Sequence, residues 1–432
     1  MTPSNVAPTS ACPFHIDLRD PHARATIYAT YARMREQGDV IPAVLTMSDQ
    51  DDRDFSGALG REVSLAIGYE TASDTLVDSH YSVDGRSLMS ADELAAMPPV
   101  PVEFKPLLRN LLSLDPPDHT RLRRLVQPSW TPRVLETMRP RSQVLADELL
   151  DAAEAQATAR EEREPDRTME LIDAYAYPLP MTVISELLGV PVEDRPRVRA
   201  WSEALIEQQA FTEHLLQTVS EFSAYLRQLF EEKRERPTED MTSWLVHADI
   251  DGERLDEDDL LSMVFILIVA GHVTTVNLIA NGVLALLNHP DQRELLRARP
   301  ELMPNAVEEV LRYWGPVEMA SPRFTREPGR LGERDMARGD VVFPVLAAAN
   351  RDPERFADPD RFDIERPDAH RHIAFGKGAH LCLGAPLARI EAQVALETIS
   401  RRMPHLRLRE PLAQPPLQQG LFRGPGSLSL LF

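Results

Sequence analysis

Apolar residues recur at three- and four-residue spacing along most of this chain, a period that predicts a mainly helical fold with small sheets. Helices are expected at 20–37, 117–130, 132–157, 180–188, 198–208, 212–235, 256–288, 304–314 and 385–403. Asp20 and Pro21 start the first and Gly38 stops it. Pro opens several others, as suits a first turn whose N–H groups have no partner. The 256–288 segment is the longest. It begins with Glu257, Asp258 and Asp259, acids that favour the positive end of a helix dipole. Its middle is apolar on all sides, which requires burial. Alternation at 62–67 predicts a strand. Segments 48–54 and 160–167 carry enough charge to be solvated loops, and 350–368 is rich in Pro and Asp. Residues 79–106 lack a clear period, and so long a stretch is expected to be a functional or mobile loop.

The 432 residues contain no linker, repeat or low-complexity tract. One large domain is therefore expected from residue 13 to 432, behind a flexible tail at 1–12. The opening residues are polar and lack the apolar core of a secretory signal. The longest uninterrupted apolar run, 263–271, falls short of the roughly 18 residues of a bilayer span. A soluble cytoplasmic protein without a membrane partner is the expectation. Two cysteines, Cys12 and Cys382, are too few for a disulfide framework and fit a reducing compartment. A formal charge of −21 argues against nucleic acid, whose phosphates need a basic face.

Chemistry concentrates at 375–384, Phe-Gly-Lys-Gly-Ala-His-Leu-Cys-Leu-Gly. Gly376, Gly378 and Gly384 allow a tight turn and close approach to a flat group. Cys382 sits inside, where backbone N–H groups and the start of the next helix can stabilise a thiolate. The segment resembles the haem-binding loop of cytochromes P450, F-G-x-G-x-H-x-C-x-G, at every fixed position. That resemblance implies the single-domain P450 fold, haem b (iron protoporphyrin IX) as cofactor, Cys382 as the axial iron ligand and His380 near a haem propionate.

Further motifs resemble the same family. Glu309 and Arg312 share a helix face, resemble its E-x-x-R pair, and have Arg366 as the expected third member of a buried network. His119 and Arg123, four apart on a helix, and Arg323 resemble the family's propionate ligands. In the long helix, Ala270, Gly271 and Thr274 resemble the oxygen groove. Gly271 is expected to admit a flat ring and O2. Thr274 is expected to bond the Ala270 carbonyl, locally open the helix and guide protons. Val273 departs from the family, which has Asp or Glu there, so protons are left to water, to a substrate group or to His272 (itself read as structural).

The resemblance implies a monomeric monooxygenase. Electrons pass from NAD(P)H through ferredoxin reductase and ferredoxin, and O2 hydroxylates or epoxidises a hydrophobic small molecule. Residues 115–123 and 275–279 are similar to actinobacterial members that tailor polyketide and macrolide antibiotics. Phe265, Val269, Val317, Met319, Ala320, Leu421 and Phe422 are expected to line the substrate pocket. Arg121, Arg124, Lys377 and Arg389 are expected to form a basic docking patch. Two alternatives stay open: oxidative ring closure or coupling on the same scaffold, and a haem-binding partner without turnover.

Overall fold

The computed structural model describes residues 14–18, 20–46, 62–97, 99–160, 166–207, 212–416 and 422–432. The expected tail, the acidic stretch at 48–54 and Leu421 lie outside these residues, as does most of the charged loop at 160–167. Six helices frame the site and are labelled here α1 (Asp118–Val126), α2 (Met138–Arg160), α3 (Pro178–Leu187), α4 (Glu257–Asn288), α5 (Met303–Trp314) and α6 (Ala385–Arg402).

Helix α4 runs through the core. Asp256 caps it by accepting a bond from the Asp259 N–H at 2.7 Å, as the acidic first turn suggested. It packs against α3, α5 and α6, and α6 packs in turn on α2. By length and composition α4 would qualify to cross a membrane, with mean hydropathy 2.1 over an 18-residue window. The sequence reading counted only an uninterrupted apolar run and missed this. In the fold 67% of that window is buried against neighbouring helices, so its apolarity serves a protein core.

A six-stranded sheet lies to one side, ordered Phe14–Asp17, Val40–Thr46, Glu62–Ala66, Val341–Pro344, Arg323–Thr325, Tyr81–Ser82. Its core, with Ile41, Leu45, Leu65, Val341 and Phe343, is separate from the larger helical one. Ser429–Leu431 joins Arg407–Leu408 and Thr168–Glu170 in a small sheet that ties the C-terminus to the helical half.

Three expectations about local structure need correcting, one of them the helix at 132–157, which is split at Thr137 into Pro132–Glu136 and Met138–Arg160. The first helix is broken, with Pro21–Ala25 and Ile27–Arg35 meeting at Thr26. Residues 79–106 are not one loop, because Ala91–Ala96 is a helix held by a capping box. There the Ser90 hydroxyl accepts from the Glu93 N–H, and the Glu93 carboxylate from the Ser90 N–H.

Candidate active site

Cys382 lies three residues before the first residue of α6, and among the described residues it is a free cysteine with an exposed face. Its N–H donates to the Phe375 carbonyl at 3.0 Å, which closes the loop on itself. Gly376 and Gly378 both have φ +70°, a left-handed conformation that other residues adopt at a cost. At Gly378 a Cβ would also stand 2.8 Å from the Leu76 carbonyl. Burial among protein atoms pushes the Cys382 thiol up. The N–H groups of Gly384 and Ala385 pull it back, with smaller help from Arg123 and Arg389.

A buried ion network pins this loop from behind. Arg312 donates from Nε and Nη2 to the two Glu309 oxygens at 2.7 and 2.8 Å, and Arg366 Nε reaches Glu309 at 3.2 Å. The remaining arginine donors satisfy the carbonyls of Asn350, Ala357, Asp358, Pro359 and Arg361. The Asn350 side chain then accepts from the Ile373 N–H at 2.8 Å, two residues before Phe375. The three residues singled out in the sequence therefore interlock, and the chain from Glu309 to the loop is continuous. A neighbouring trio was not foreseen. Glu308 receives a two-pronged bond from Arg389 at 2.6 and 2.9 Å and lies 3.1 Å from His372 Nε2. Burial would raise Glu308, but these partners draw it down to about 2. Arg389 also stacks over the Phe375 ring at 4.6 Å.

Beside the loop, four nitrogen-bearing side chains converge. The His119 and His380 rings are 4.3 Å apart. His119 is buried and its Nε2 has no bonded partner. Burial and Arg123 lower its pKa, against Asp115, which raises it. His380 gives its Nδ1 to the Leu111 carbonyl at 3.1 Å, which leaves Nε2 without a bonded partner among the described residues. Burial, His119 and Arg323 bring it down to about 4. Arg323 is 4% exposed, donates to the Ser321 carbonyl, and is lowered by burial to about 10. Arg123 donates to the Ala379 carbonyl at 3.1 Å. Buried and half-buried donors that make no ion pair among the described residues fit a bound anion, and the propionates of haem would supply two. The thiol and this donor set together fit the cofactor.

On α4 the middle turns break the pattern of burial. Phe265, Ile266, Leu267, Val269, Gly271, Val273 and Thr274 are half-buried and Ala270 is exposed, while the flanking segments 259–264 and 275–286 are buried. The Thr274 hydroxyl donates to the Ala270 carbonyl at 2.9 Å, as expected, but the helix continues without opening. The missing Cβ of Gly271 would meet Ile184 of α3 at 3.4 Å, an ordinary contact. His272 faces away from the stripe. Its Nδ1 bonds the Ile268 carbonyl at 2.8 Å, its Nε2 lies 3.4 Å from Ser202, and burial lowers it. One residue was missed in the sequence. Glu391 of α6 is fully enclosed beside Thr275, and burial lifts its carboxyl to about 8. Nothing in its local sequence marks it, because the groups enclosing it come from α4.

Of the expected pocket residues, Val317, Ala320 and Phe422 are half-buried, and Val317 pairs with Phe422 across a β-bridge. Phe265 packs on Phe222 at 5.5 Å. Met319 is a correction: a bend at 318–319 turns it into the sheet core, 3% exposed. The basic patch also changes. Arg121 pairs with Asp259 at 2.7 Å, Arg124 with Glu253 at 2.7 Å, and Arg389 with Glu308, which leaves Lys377 exposed.

Fold and site together define a haem-thiolate oxygenase. The Cytochrome P450 family model matches residues 199–432, and the chain belongs to that family as a monooxygenase that carries haem b. It is 45% identical to cytochrome P450 monooxygenase PikC of Streptomyces venezuelae, over 88% of this chain and 85% of PikC. It is 38% identical to polyketide biosynthesis cytochrome P450 PksS of Bacillus subtilis, over 80% of this chain and 82% of that one. Among solved structures, myxobacterial cytochrome P450 CYP267B1 in complex with myristic acid superposes with TM-score 0.83. It is 40% identical and the match covers 96% of this chain and 98% of that one. Monooxygenase relatives over this much of the chain set aside the reading of a haem partner without turnover.

Proposed function

We infer that this enzyme inserts one oxygen atom from O2 into a C–H bond or an alkene of a polyketide- or macrolide-type small molecule. Electrons come from NAD(P)H through a ferredoxin reductase and a ferredoxin. The observation that carries this is the half-open apolar stripe of α4 around Thr274, an unusual gap in an otherwise enclosed helix. The PksS name and the sequence similarity at 115–123 support the substrate class.

In this reading Cys382 holds the iron, while His119, Arg123, Arg323 and His380 hold the propionates. Phe375 and the three glycines seat the ring on its thiolate side. Bound haem supplies the activation of O2. The protein's own work is to exclude water, orient the substrate and place protons. Phe265, Val269, Val317, Ala320 and Phe422 present apolar walls. Ala270, Gly271 and Thr274 form the half-open turn that would border the reaction centre. Glu391 holds a proton beside Thr275, where Val273 provides none. A cytoplasmic monomer fits the need for NAD(P)H and a diffusing ferredoxin.

The reading is tested by incubating the holoenzyme with a reductase, a ferredoxin, NADPH and a polyketide panel under ¹⁸O2. A product heavier by one labelled oxygen is expected. Val273 favours one alternative, oxidative ring closure or coupling, in which the usual acid matters less. Loss of two hydrogens without label uptake would establish that alternative instead.

A further inference from the structure

Behind the Val317–Phe422 bridge lies a buried ion pair that the chemistry above does not use. Glu318 and Arg423 are both fully enclosed. The guanidinium donates from Nε and Nη2 to one Glu318 oxygen, at 3.0 and 2.5 Å, and from Nη1 to the Pro415 carbonyl at 3.2 Å. Its face covers the Tyr28 ring at 4.3 Å. The Tyr31 hydroxyl is buried beside the same carboxylate, and burial and that charge together raise its pKa. Replacing such a pair by apolar groups of similar volume is often neutral or stabilising, so global stability alone is a weak reason for its presence.

Its placement suggests a different use. Arg423 is held by its main chain as well: its N–H donates to the Pro316 carbonyl at 2.9 Å, and its carbonyl accepts from Asn281 of α4 at 3.0 Å. The next residue, Gly424, lies so close to α4 that a Cβ there would fall 2.1 Å from the Asn277 side-chain oxygen. Asn277 is three residues beyond Thr274, on the adjoining turn. On the other side, the Glu318 carbonyl accepts from the Ala347 N–H at 3.1 Å, which fixes it to the segment after the sheet. The pair therefore joins three parts that are distant in sequence: the turn carrying Val317, the C-terminal segment carrying Phe422, and the oxygen-side helix.

We propose that Glu318 and Arg423 are positioning residues that hold the Val317–Phe422 wall at a fixed place relative to the Thr274 turn, and so set which substrate atom faces the reaction centre. This rests on the reading of Val317 and Phe422 as substrate walls. Side-chain order at a pocket wall depends on packing behind it, and a two-pronged buried pair fixes both distance and angle.

The test uses holoenzyme with Arg423→Lys, Glu318→Gln and the double variant Glu318→Leu/Arg423→Met, which strands no charge. The probes are imidazole, which is small, and 4-phenylimidazole, whose ring extends toward the walls. Both are titrated by the Soret shift, and exchange of the backbone amide at position 423 is followed in parallel. In Arg423→Lys and the double variant, 4-phenylimidazole should weaken by about tenfold while imidazole stays within about twofold. The backbone amide at position 423 should exchange at least about tenfold faster in both, and Glu318→Gln should fall between them and wild type. Unchanged discrimination between the probes, with unchanged exchange and an intact Soret band, overturns the proposal. Equal weakening of both probes also overturns it, because the pair would then support the haem seat. Phe422→Ala is the separate control: if it leaves 4-phenylimidazole binding unaltered, the wall reading fails whatever the pair does.

Discussion

Thr274 donates its hydroxyl to the Ala270 carbonyl at 2.9 Å while α4 remains a continuous helix. The hydroxyl proton is thus engaged with the main chain, and the oxygen lone pairs are free to accept from water or ligand. Thr274→Ala should lower product formed per NADPH severalfold and raise peroxide. Positioned proton groups typically contribute roughly 10²–10⁴ in rate. Val273→Glu should improve coupling with poorly fitting substrates. Peroxide and product are measured in wild type, both single variants and the double. Tight coupling in Thr274→Ala would falsify the role assigned to this hydroxyl.

Cys382→Ala should abolish the far red-shifted Soret band of the reduced, CO-bound protein. Cys12 is the only other thiol in the chain. A retained band would mean that another group ligates the iron.

Glu309 is the shared ion-pair partner of two arginines, so Glu309→Ala strands both Arg312 and Arg366 in the interior. A cost of about 3–5 kcal/mol is expected for breaking a buried pair from one side. Urea unfolding of the holoenzyme and haem loss on gel filtration provide the readout, and a cost under about 1 kcal/mol would contradict the network's role.

Glu391 titrates at about 8 in the folded protein against an ordinary 4.5. The folded state therefore binds this proton more tightly than the unfolded chain. Its contribution to stability is complete below about 4.5, declines as pH rises, and is lost above about 8. Glu391→Gln, which cannot ionise, should flatten Tm against pH across that window. An unchanged profile would place the carboxyl in contact with water.

Electron delivery should slow with ionic strength, because surface charges are screened over about 10 Å at 0.1 M salt. The sensitivity should be modest, since Arg121, Arg124 and Arg389 have acidic partners and, among the described residues, only Lys377 of the expected patch lacks one. Lys377→Glu should therefore slow reduction by ferredoxin more than Arg124→Glu. Stopped-flow reduction at two salt concentrations compares them, and the reverse order would relocate the docking contact.

The sequence was most informative where chemistry demands fixed residues at fixed offsets. Glycines that must adopt positive φ, a cysteine before a helix, and an i, i+3 acid–arginine pair all show at short range, and the loop at 375–384 and Glu309 with Arg312 were legible for that reason. Contacts made across the fold were not. The acids that pair with Arg121, Arg124 and Arg389 come from α4, the preceding loop and α5. The apolar surround of Glu391 and the clamp between Glu318 and Arg423 arise only when distant segments meet. Met319 was misplaced because a bend, invisible to alternation, reverses its side. The helix at Ala91–Ala96 is a different case: Ser90 and Glu93 spell a capping box that a reading by period alone passes over.

The contact between His119 and His380 has a consequence for how the protein comes into being. The loop at 375–384 is seated on α1 and on Leu76, and the Arg123–Ala379 bond spans 256 positions of chain. One half of the seat therefore leaves the ribosome long before the other. During that interval Arg123 has neither the Ala379 carbonyl nor the cysteine loop to face. The seat for the cofactor is complete only once residues 375–384 have been made and have folded back onto α1.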